Sequence, residues 1–176
     1  YNSLRLNTTG VDNNAFGVNT LDANTTGSRN NAFGFESLTA NTTASDNTAF
    51  GNKALYANTT GSNNTAVGSG ALDASSTSSN NTAVGRSALT DNTTGTENSA
   101  VGAYALTSNT TASNNTSVGY TALYTNTTGA SNTAVGRSSL YTNNADNNTG
   151  IGQRALYANT TGAANTAVGS QALDAN

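Results

Sequence analysis

A seventeen-residue repeat runs along this chain and limits what the chain can fold into. A glycine closes each unit, as in "NTAVG" at residues 64–68, and successive glycines lie seventeen residues apart in every step but one. These glycines are Gly17, Gly34, Gly51, Gly68, Gly85, Gly102, Gly119, Gly136, Gly152 and Gly169. A fixed period near 20 residues is typical of solenoids, in which each unit forms one coil and neighbouring coils stack. Residues 1–176 are therefore predicted to form one repeat domain.

Three further columns of residues keep register with the glycines. A β-branched or aromatic residue precedes each glycine: Phe16, Phe33, Phe50, Val67, Val84, Val101, Val118, Val135, Ile151 and Val168. A leucine follows four positions later, as at Leu55, Leu72, Leu89, Leu106, Leu123, Leu140 and Leu156. We expect the valines, Ile151 and the leucines to form the core. An asparagine stands four residues before each glycine and is expected to form a structural ladder: Asn13, Asn30, Asn47, Asn64, Asn81, Asn98, Asn115, Asn132, Asn148 and Asn165.

The local pattern favours strands over helices. Alternation within "NTAVG" puts Thr65 and Val67 on one face and Ala66 on the other, and Gly, Asn and Thr are poor helix formers. We predict an all-β parallel solenoid of about ten coils, roughly 48 Å long at a spacing of about 4.8 Å. Each coil would hold two short strands, near 65–67 and 71–72, with turns at 58–61 and near Gly68. The alanine columns (Ala49, Ala66, Ala83, Ala100 and Ala54, Ala71, Ala88, Ala105) would form a flat outer surface on which another chain could pack.

Composition excludes several classes of function. The chain has no His or Cys, so Ser/His/Asp or Cys/His catalysis and metal binding by those ligands are excluded, and neither an enzyme nor a cofactor is expected. Asp22, Asp73 and Asp174 share a column but lie too many coils apart to act as a pair. The net charge is −3 and six basic residues are scattered, which argues against nucleic acid. No apolar run is long enough to span a membrane.

Two polar features of the repeat remain to be interpreted. The N-T-T triplets match the glycosylation sequon, but we interpret them as turns whose asparagines, from Asn7 to Asn176 with Ser75 as the exception, stack between coils. Tyr56, Tyr124, Tyr141 and Tyr157 share the column after leucine and are possible surface contacts for sugars or partner surfaces.

The phrase N-N-T-A-V-G resembles the N-S-V-A-I-G coil phrase of trimeric autotransporter adhesin heads. The whole unit is also similar to repeats of phage-type tail fibres. The resemblance implies a parallel, left-handed β-roll assembled as a homotrimer. It further implies a structural or adhesive segment of an extracellular bacterial or phage fibre, on a cell surface or virion. The expected partners are copies of the chain itself, further repeats of the same fibre, and an unknown host surface or glycan.

A second function class remains open, an ice-binding solenoid. Ice binding needs a flat array of regularly spaced threonines, and the pairs Thr8/Thr9, Thr25/Thr26, Thr42/Thr43 and Thr59/Thr60 are regular. The array lapses at Ala145, where the step between Leu140 and Leu156 falls to sixteen residues. We predict a shortened turn at 143–147 with Ile151 still in its column. Because the chain stops in mid-coil at Asn176, we also expect it to be a segment of a longer protein.

Overall fold

Each repeat contributes one strand of three residues, and the ten strands stack in chain order into one parallel sheet. The structure is a computed structural model that describes residues 2–175. The strands are β1 Asn14–Phe16, β2 Asn31–Phe33, β3 Thr48–Phe50, β4 Thr65–Val67, β5 Thr82–Val84, β6 Ser99–Val101, β7 Thr116–Val118, β8 Thr133–Val135, β9 Thr149–Ile151 and β10 Thr166–Val168.

Neighbouring strands pair in register, so that each column of the repeat becomes a line of stacked residues along the rod. Thr65, Ala66 and Val67 of β4, for example, pair with Thr82, Ala83 and Val84 of β5. Ten strands enclose about nine turns, which gives a sheet roughly 43 Å long at the usual strand spacing. The predicted all-β parallel solenoid with a seventeen-residue repeat is therefore confirmed.

The second predicted strand, near Ala71 and Leu72, is wrong: this segment is a turn. Leu72 has φ of 52°, in the left-handed region, and the other leucines of its column share this conformation. A left-handed backbone is not extended and costs a bulky residue about 1–2 kcal/mol. Hydrogen bonding between coils continues all the same, since Leu72 N–H donates to the carbonyl of Ala88 at 3.1 Å.

The residues of each strand alternate between two faces as predicted. However, the middle residue points into the interior, and the first and third residues, which were expected to be buried, face outward. Ala66 is fully buried, whereas Val67 is 38% exposed and Thr65 is half-buried. The predicted core is therefore corrected for Val67, Val84, Val101, Val118, Val135, Ile151 and Val168, which lie on the outer face of the sheet. The alanines predicted to form a flat outer surface (Ala49, Ala66, Ala83, Ala100, Ala54, Ala71, Ala88 and Ala105) are instead core residues, together with the leucines.

The narrow interior of the coil explains why alanine, not valine, points inward. The middle residue of every strand is Ala, Ser or Gly, and the leucines pack against this column from the other side. At Gly150 an added Cβ would lie 2.6 Å from Ser139 Oγ and 3.2 Å from Leu140 Cγ. The space holds about one methyl group, so a branched side chain has to face outward.

The asparagine column before each strand forms a continuous buried ladder. At each of the nine steps from Asn13 to Asn165, the backbone N–H of one asparagine donates to Oδ1 of the asparagine one coil earlier. Asn64 is typical: its N–H bonds to Asn47 at 3.0 Å, and its Nδ2 donates to the carbonyl of Ser78 at 2.8 Å. Each asparagine side chain thus satisfies polar backbone groups that would otherwise be buried without partners.

The glycine that closes each strand occupies a corner where no side chain fits. Gly68 has φ of 136°, and an added Cβ would lie 2.4 Å from the carbonyl oxygen of Gly85 in the next coil. Both the backbone conformation and the close approach of the next coil therefore require glycine.

The irregular step is absorbed in a turn, as predicted. Asn143 Nδ2 donates to the carbonyl of Ala145, two residues on, whereas Asn126 in an ordinary coil donates to Gly129, three residues on. Ile151 still pairs with Val135 and Val168. The sheet therefore passes the shortened coil without a break.

Candidate functional site

The outer face of the sheet is a regular surface that runs along all ten strands. We call it the valine face and define it as the first and third residues of β1–β10. Its third residues form one unbroken column of Phe, Val and Ile, with Val67 at 38% and Ile151 at 40% exposed. Phe33 and Phe50 stack within this column, with ring centroids 4.6 Å apart. Its first residues are Asn, Thr or Ser, so no charged side chain interrupts the face.

The threonines fall into two groups with different surroundings. In the N-T-T-G turns the first threonine is tied to the next coil, as where Thr59 Oγ1 donates to the carbonyl of Ser76 at 2.9 Å, while Thr60 is exposed. On the valine face the strand threonines, such as Thr65 and Thr82, make no side-chain hydrogen bond within residues 2–175. The sequence therefore indicated the turn threonines, but the structure also presents a line of unpaired hydroxyls on the sheet.

Three of the four tyrosines predicted as surface contacts come together. Tyr124, Tyr141 and Tyr157 stack face to face, with centroid distances of 5.2 and 5.0 Å. Burial, and secondarily the neighbouring tyrosines, raises the pKa of the Tyr141 phenol. Tyr56 lies apart from this stack, beside Lys53, whose Nζ is 5.2 Å from the ring centroid.

Two tyrosines that the repeat pattern did not indicate complete an aromatic cluster. Tyr104 and Tyr120 meet edge to face at 6.1 Å, and Tyr120 is 52% exposed. These rings line a surface depression of about 340 Å³. We call it the tyrosine depression; its walls are Tyr104, Tyr120, Thr121, Tyr124 and Tyr141. The sequence feature that could have indicated this cluster is the uneven distribution of tyrosine, since five of the seven tyrosines come after residue 100.

Most charged groups form ion pairs along the rod. Four of the six basic residues contact a carboxylate: Arg5 with Asp22, Arg29 with Asp46, Lys53 with Glu36, and Arg154 with Asp174. The hydrogen bond from Arg29 lowers the pKa of Asp46. Within the described part of the chain, Arg86 and Arg137 have no carboxylate at ion-pair distance.

The ladder asparagines from Asn30 to Asn148 are buried and most corner glycines are half-buried, which leaves the valine face and the tyrosine depression as the candidate contact surfaces. In residues 2–175 no three His, Cys, Asp or Glu side chains cluster as a metal site would require, and no helix is suited to crossing a membrane. No family model, curated protein or solved structure matches the chain.

Proposed function

We propose that this chain is a structural and adhesive segment of an extracellular bacterial or phage fibre, without enzymatic activity. In this proposal the rod acts as a spacer and binding surface and assembles as a homotrimer through the valine face. The supporting observation is the unbroken, uncharged apolar column along all ten strands.

An exposed apolar column of this length favours association. Soluble monomers rarely expose a large contiguous apolar patch, and such patches usually mark contact surfaces. A second copy of the chain has the same spacing between rungs, so its valine face can match this one rung by rung. Three copies around a common axis would remove all three columns from water.

The interior suits a rod that holds its shape. Backbone hydrogen bonds link successive coils at the strand and the leucine turn, and backbone-to-side-chain bonds link them at the asparagine ladder. Each coil contacts only its neighbours, so length is added without changing the cross-section. These properties support the role of a spacer.

The mass in solution tests this proposal. We expect light scattering to give three times the chain mass of 17.6 kDa. Val101→Lys and Val118→Lys together should give a folded monomer, because two rows of charge would be buried at the interface. Thr60→Lys, in an exposed turn away from the valine face, is the matched control and should remain trimeric. A native chain that stays monomeric at high concentration would rule out the trimer.

Ice binding is the second candidate, and the unpaired threonine hydroxyls of the valine face are the observation that favours it. From β3 to β10 they stand in a line beside the apolar column, one hydroxyl per rung with Ser99 in place of threonine in β6, whereas β1 and β2 begin with asparagine. The two proposals compete for one face, since a trimer would cover it. A monomer that slows ice recrystallisation, and loses this effect in Thr82→Lys but not in Thr60→Lys, would support ice binding.

A further inference from the structure

The two basic residues without a carboxylate partner both lie beside the tyrosine depression. Arg86 donates a hydrogen bond to the Tyr104 hydroxyl, and its guanidinium lies 4.9 Å from the centroid of that ring. Arg137 follows Tyr120 by one coil in the same column, where Ser138 N–H bonds to the Tyr120 carbonyl at 2.9 Å. Both arginines are exposed. Arg86 thus adjoins the depression at Tyr104, and Arg137 stands one coil from Tyr120 in the same column.

This positive charge is unusual on a chain whose net charge is −3. Elsewhere the repeat neutralises its basic side chains with a carboxylate, most often one coil away, as in the pair Arg29–Asp46. At the depression the neighbouring coils supply tyrosines instead. Arg86 already donates to Tyr104, but the Arg137 guanidinium has no hydrogen-bond or ion-pair partner among residues 2–175 and is free to form a bidentate contact with an external carboxylate.

The tyrosines that line the depression indicate what the ligand must present besides a carboxylate. Tyr141 is covered on both sides by Tyr124 and Tyr157, so these stacked rings present edges and hydroxyls. Tyr120 stacks face to face with no other ring of the described residues and is half-exposed. A flat, partly apolar ligand with many hydroxyls can pack on Tyr120 and hydrogen bond to the phenols beside it. The volume lies at the lower end of the range for small-molecule sites, about 300–1,000 Å³, and suits one or two sugar rings.

We propose that the tyrosine depression binds an acidic saccharide, whose ring packs on Tyr120 and whose carboxylate is held by Arg137. This inference rests on the proposed adhesive function and names its ligand class. A nucleic acid is the less suitable anion, because a polyanion needs a run of phosphate contacts, and among the described residues only two arginines here lack a carboxylate partner.

A printed array of oligosaccharides tests the proposal with the native full chain. The array carries galacturonate, glucuronate and sialate oligomers beside their neutral methyl esters, with single-stranded DNA as a second anion. We expect binding to at least one acidic oligomer and binding about tenfold weaker or less to its methyl ester. The chain has no Trp, so quenching of tyrosine fluorescence can then follow titration of that oligomer in solution.

Variants assign the binding to the depression. Arg137→Gln and Tyr120→Ser should each weaken binding by about tenfold or more. Tyr56→Ser, which removes a tyrosine that belongs to the same repeat column but lies outside the stack and the depression, should bind as the native chain does. Circular dichroism and mass in solution are measured for all three variants.

The outcomes separate this proposal from the fibre proposal. Binding to no acidic oligomer, equal binding to acid and methyl ester, preference for DNA, or unchanged binding by Tyr120→Ser would each overturn the saccharide site. If the chain remains trimeric in those cases, the fibre proposal stands without this ligand. Saccharide binding by a monomer would support the site and contradict the trimer.

Discussion

Single residues hold this rod together chiefly through hydrogen bonds that run along its axis. In the buried ladder, Asn64 is bonded to the coil before it and to the coil after it. Its neighbour Asn63 is exposed and has φ of 61°, a conformation that asparagine tolerates better than most residues. Adjacent asparagines therefore serve different purposes, one in the interior and one in the backbone turn.

Alanine substitutions at Asn64 and Asn63 should therefore lower the free energy of unfolding by different amounts. Asn64→Ala leaves the N–H of Asn81 and the carbonyl of Ser78 without their partners, while the backbone N–H of residue 64 can still donate to Asn47 Oδ1, so we expect a loss of about 2 kcal/mol or more. Asn63→Ala removes only a favourable left-handed residue and should cost about 1 kcal/mol or less. Urea unfolding of both variants measures the difference. Equal losses would show that the ladder does not carry the stability assigned to it.

Asp73 should make stability depend on pH in the direction opposite to Asp46. Burial raises the pKa of Asp73, with the Lys53 charge acting against this shift, and its Oδ1 has no hydrogen-bond partner. Because the folded pKa is raised, the protonated Asp73 side chain favours the folded state. Its contribution to stability is fully present below the ordinary pKa of 3.8 and declines as pH rises toward the folded pKa. Asp46 has a lowered pKa, so its contribution is present above 3.8 and is lost as pH falls.

The matching experiment compares two amide variants by thermal unfolding. Asp73→Asn should raise Tm at pH 7 and leave it unchanged at pH 3. Asp46→Asn should lower Tm at pH 7, where it breaks the pair with Arg29, and should have little effect at pH 3. The same pH profile for both variants would contradict the assignment.

At the scale of the element, each turn carries a second asparagine ladder that breaks at two places. Asn41 Nδ2 donates to Asn24 Oδ1 and Asn58 Nδ2 to Asn41 Oδ1, but the next position is Ser75, whose hydroxyl instead contacts Ser78 at 2.6 Å. Asn58 Oδ1 is therefore left buried without a partner, and Asn126 Oδ1 is left so before the irregular turn at Asn143. The last asparagine of this column, Asn176, lies outside the described residues.

Restoring the consensus turn should repair the first break. Ser75→Asn with Ser78→Gly supplies an amide donor for Asn58 Oδ1 and should stabilise the chain by about 1–3 kcal/mol. Ser76→Thr restores the consensus at the neighbouring half-buried position, which is outside this ladder, and should change stability by less than about 0.5 kcal/mol. Chemical unfolding curves compare the two. A gain from Ser76→Thr as large as that from the double variant would contradict this explanation.

The space inside the coil is a second property of the element. Substitutions at Gly150 and Ser139, which face each other across this space, test how much room it has. Ser139 Oγ donates to the carbonyl of Gly150 at 2.8 Å, where several other coils, such as that of Ala54 and Ala66, have two alanines. Gly150→Ala alone should cost about 1–3 kcal/mol, because its Cβ would meet Ser139 Oγ. With Ser139→Ala added, the cost should largely disappear. A double-mutant cycle without coupling would show that the interior has more room than the structure indicates.

The sequence was sufficient to predict the coil, its strand and its turn, but not which face of the strand is buried. Alternation places Val67 opposite Ala66 and says nothing about which of them points inward. The decision depends on the width of the coil, and the turn that returns the chain to the interior passes through a left-handed backbone at Leu72, a conformation that leucine does not intrinsically prefer. Tyr104 and Tyr120 were missed for a similar reason. They occupy different columns of the repeat and meet only because neighbouring coils stack.

At the scale of the whole molecule, the rod is a one-dimensional stack whose coils should be removable as units. The irregular coil shows where length can change, since one residue is missing at 143–147 while Ile151 keeps its pairing. Between the corner glycine and the leucine, by contrast, the backbone is confined. Gly68 approaches Gly85 closely, and Leu72 must enter the interior four residues later.

Two deletions that differ by one residue test this view of the rod. Removing residues 52–68 joins Gly51 to Ser69 and keeps Leu72 four residues after a corner glycine. This chain should fold cooperatively, with a denaturant m-value lower by about a tenth, because one coil fewer is exposed on unfolding. Removing residues 52–69 instead joins Gly51 to Gly70 and places Leu72 only three residues after the corner glycine, so the leucine loses its position or the turn is strained. We expect this second chain to be less stable by at least about 2 kcal/mol. If both deletions unfold at the same urea concentration, the segment from glycine to leucine does not fix the register of the coil.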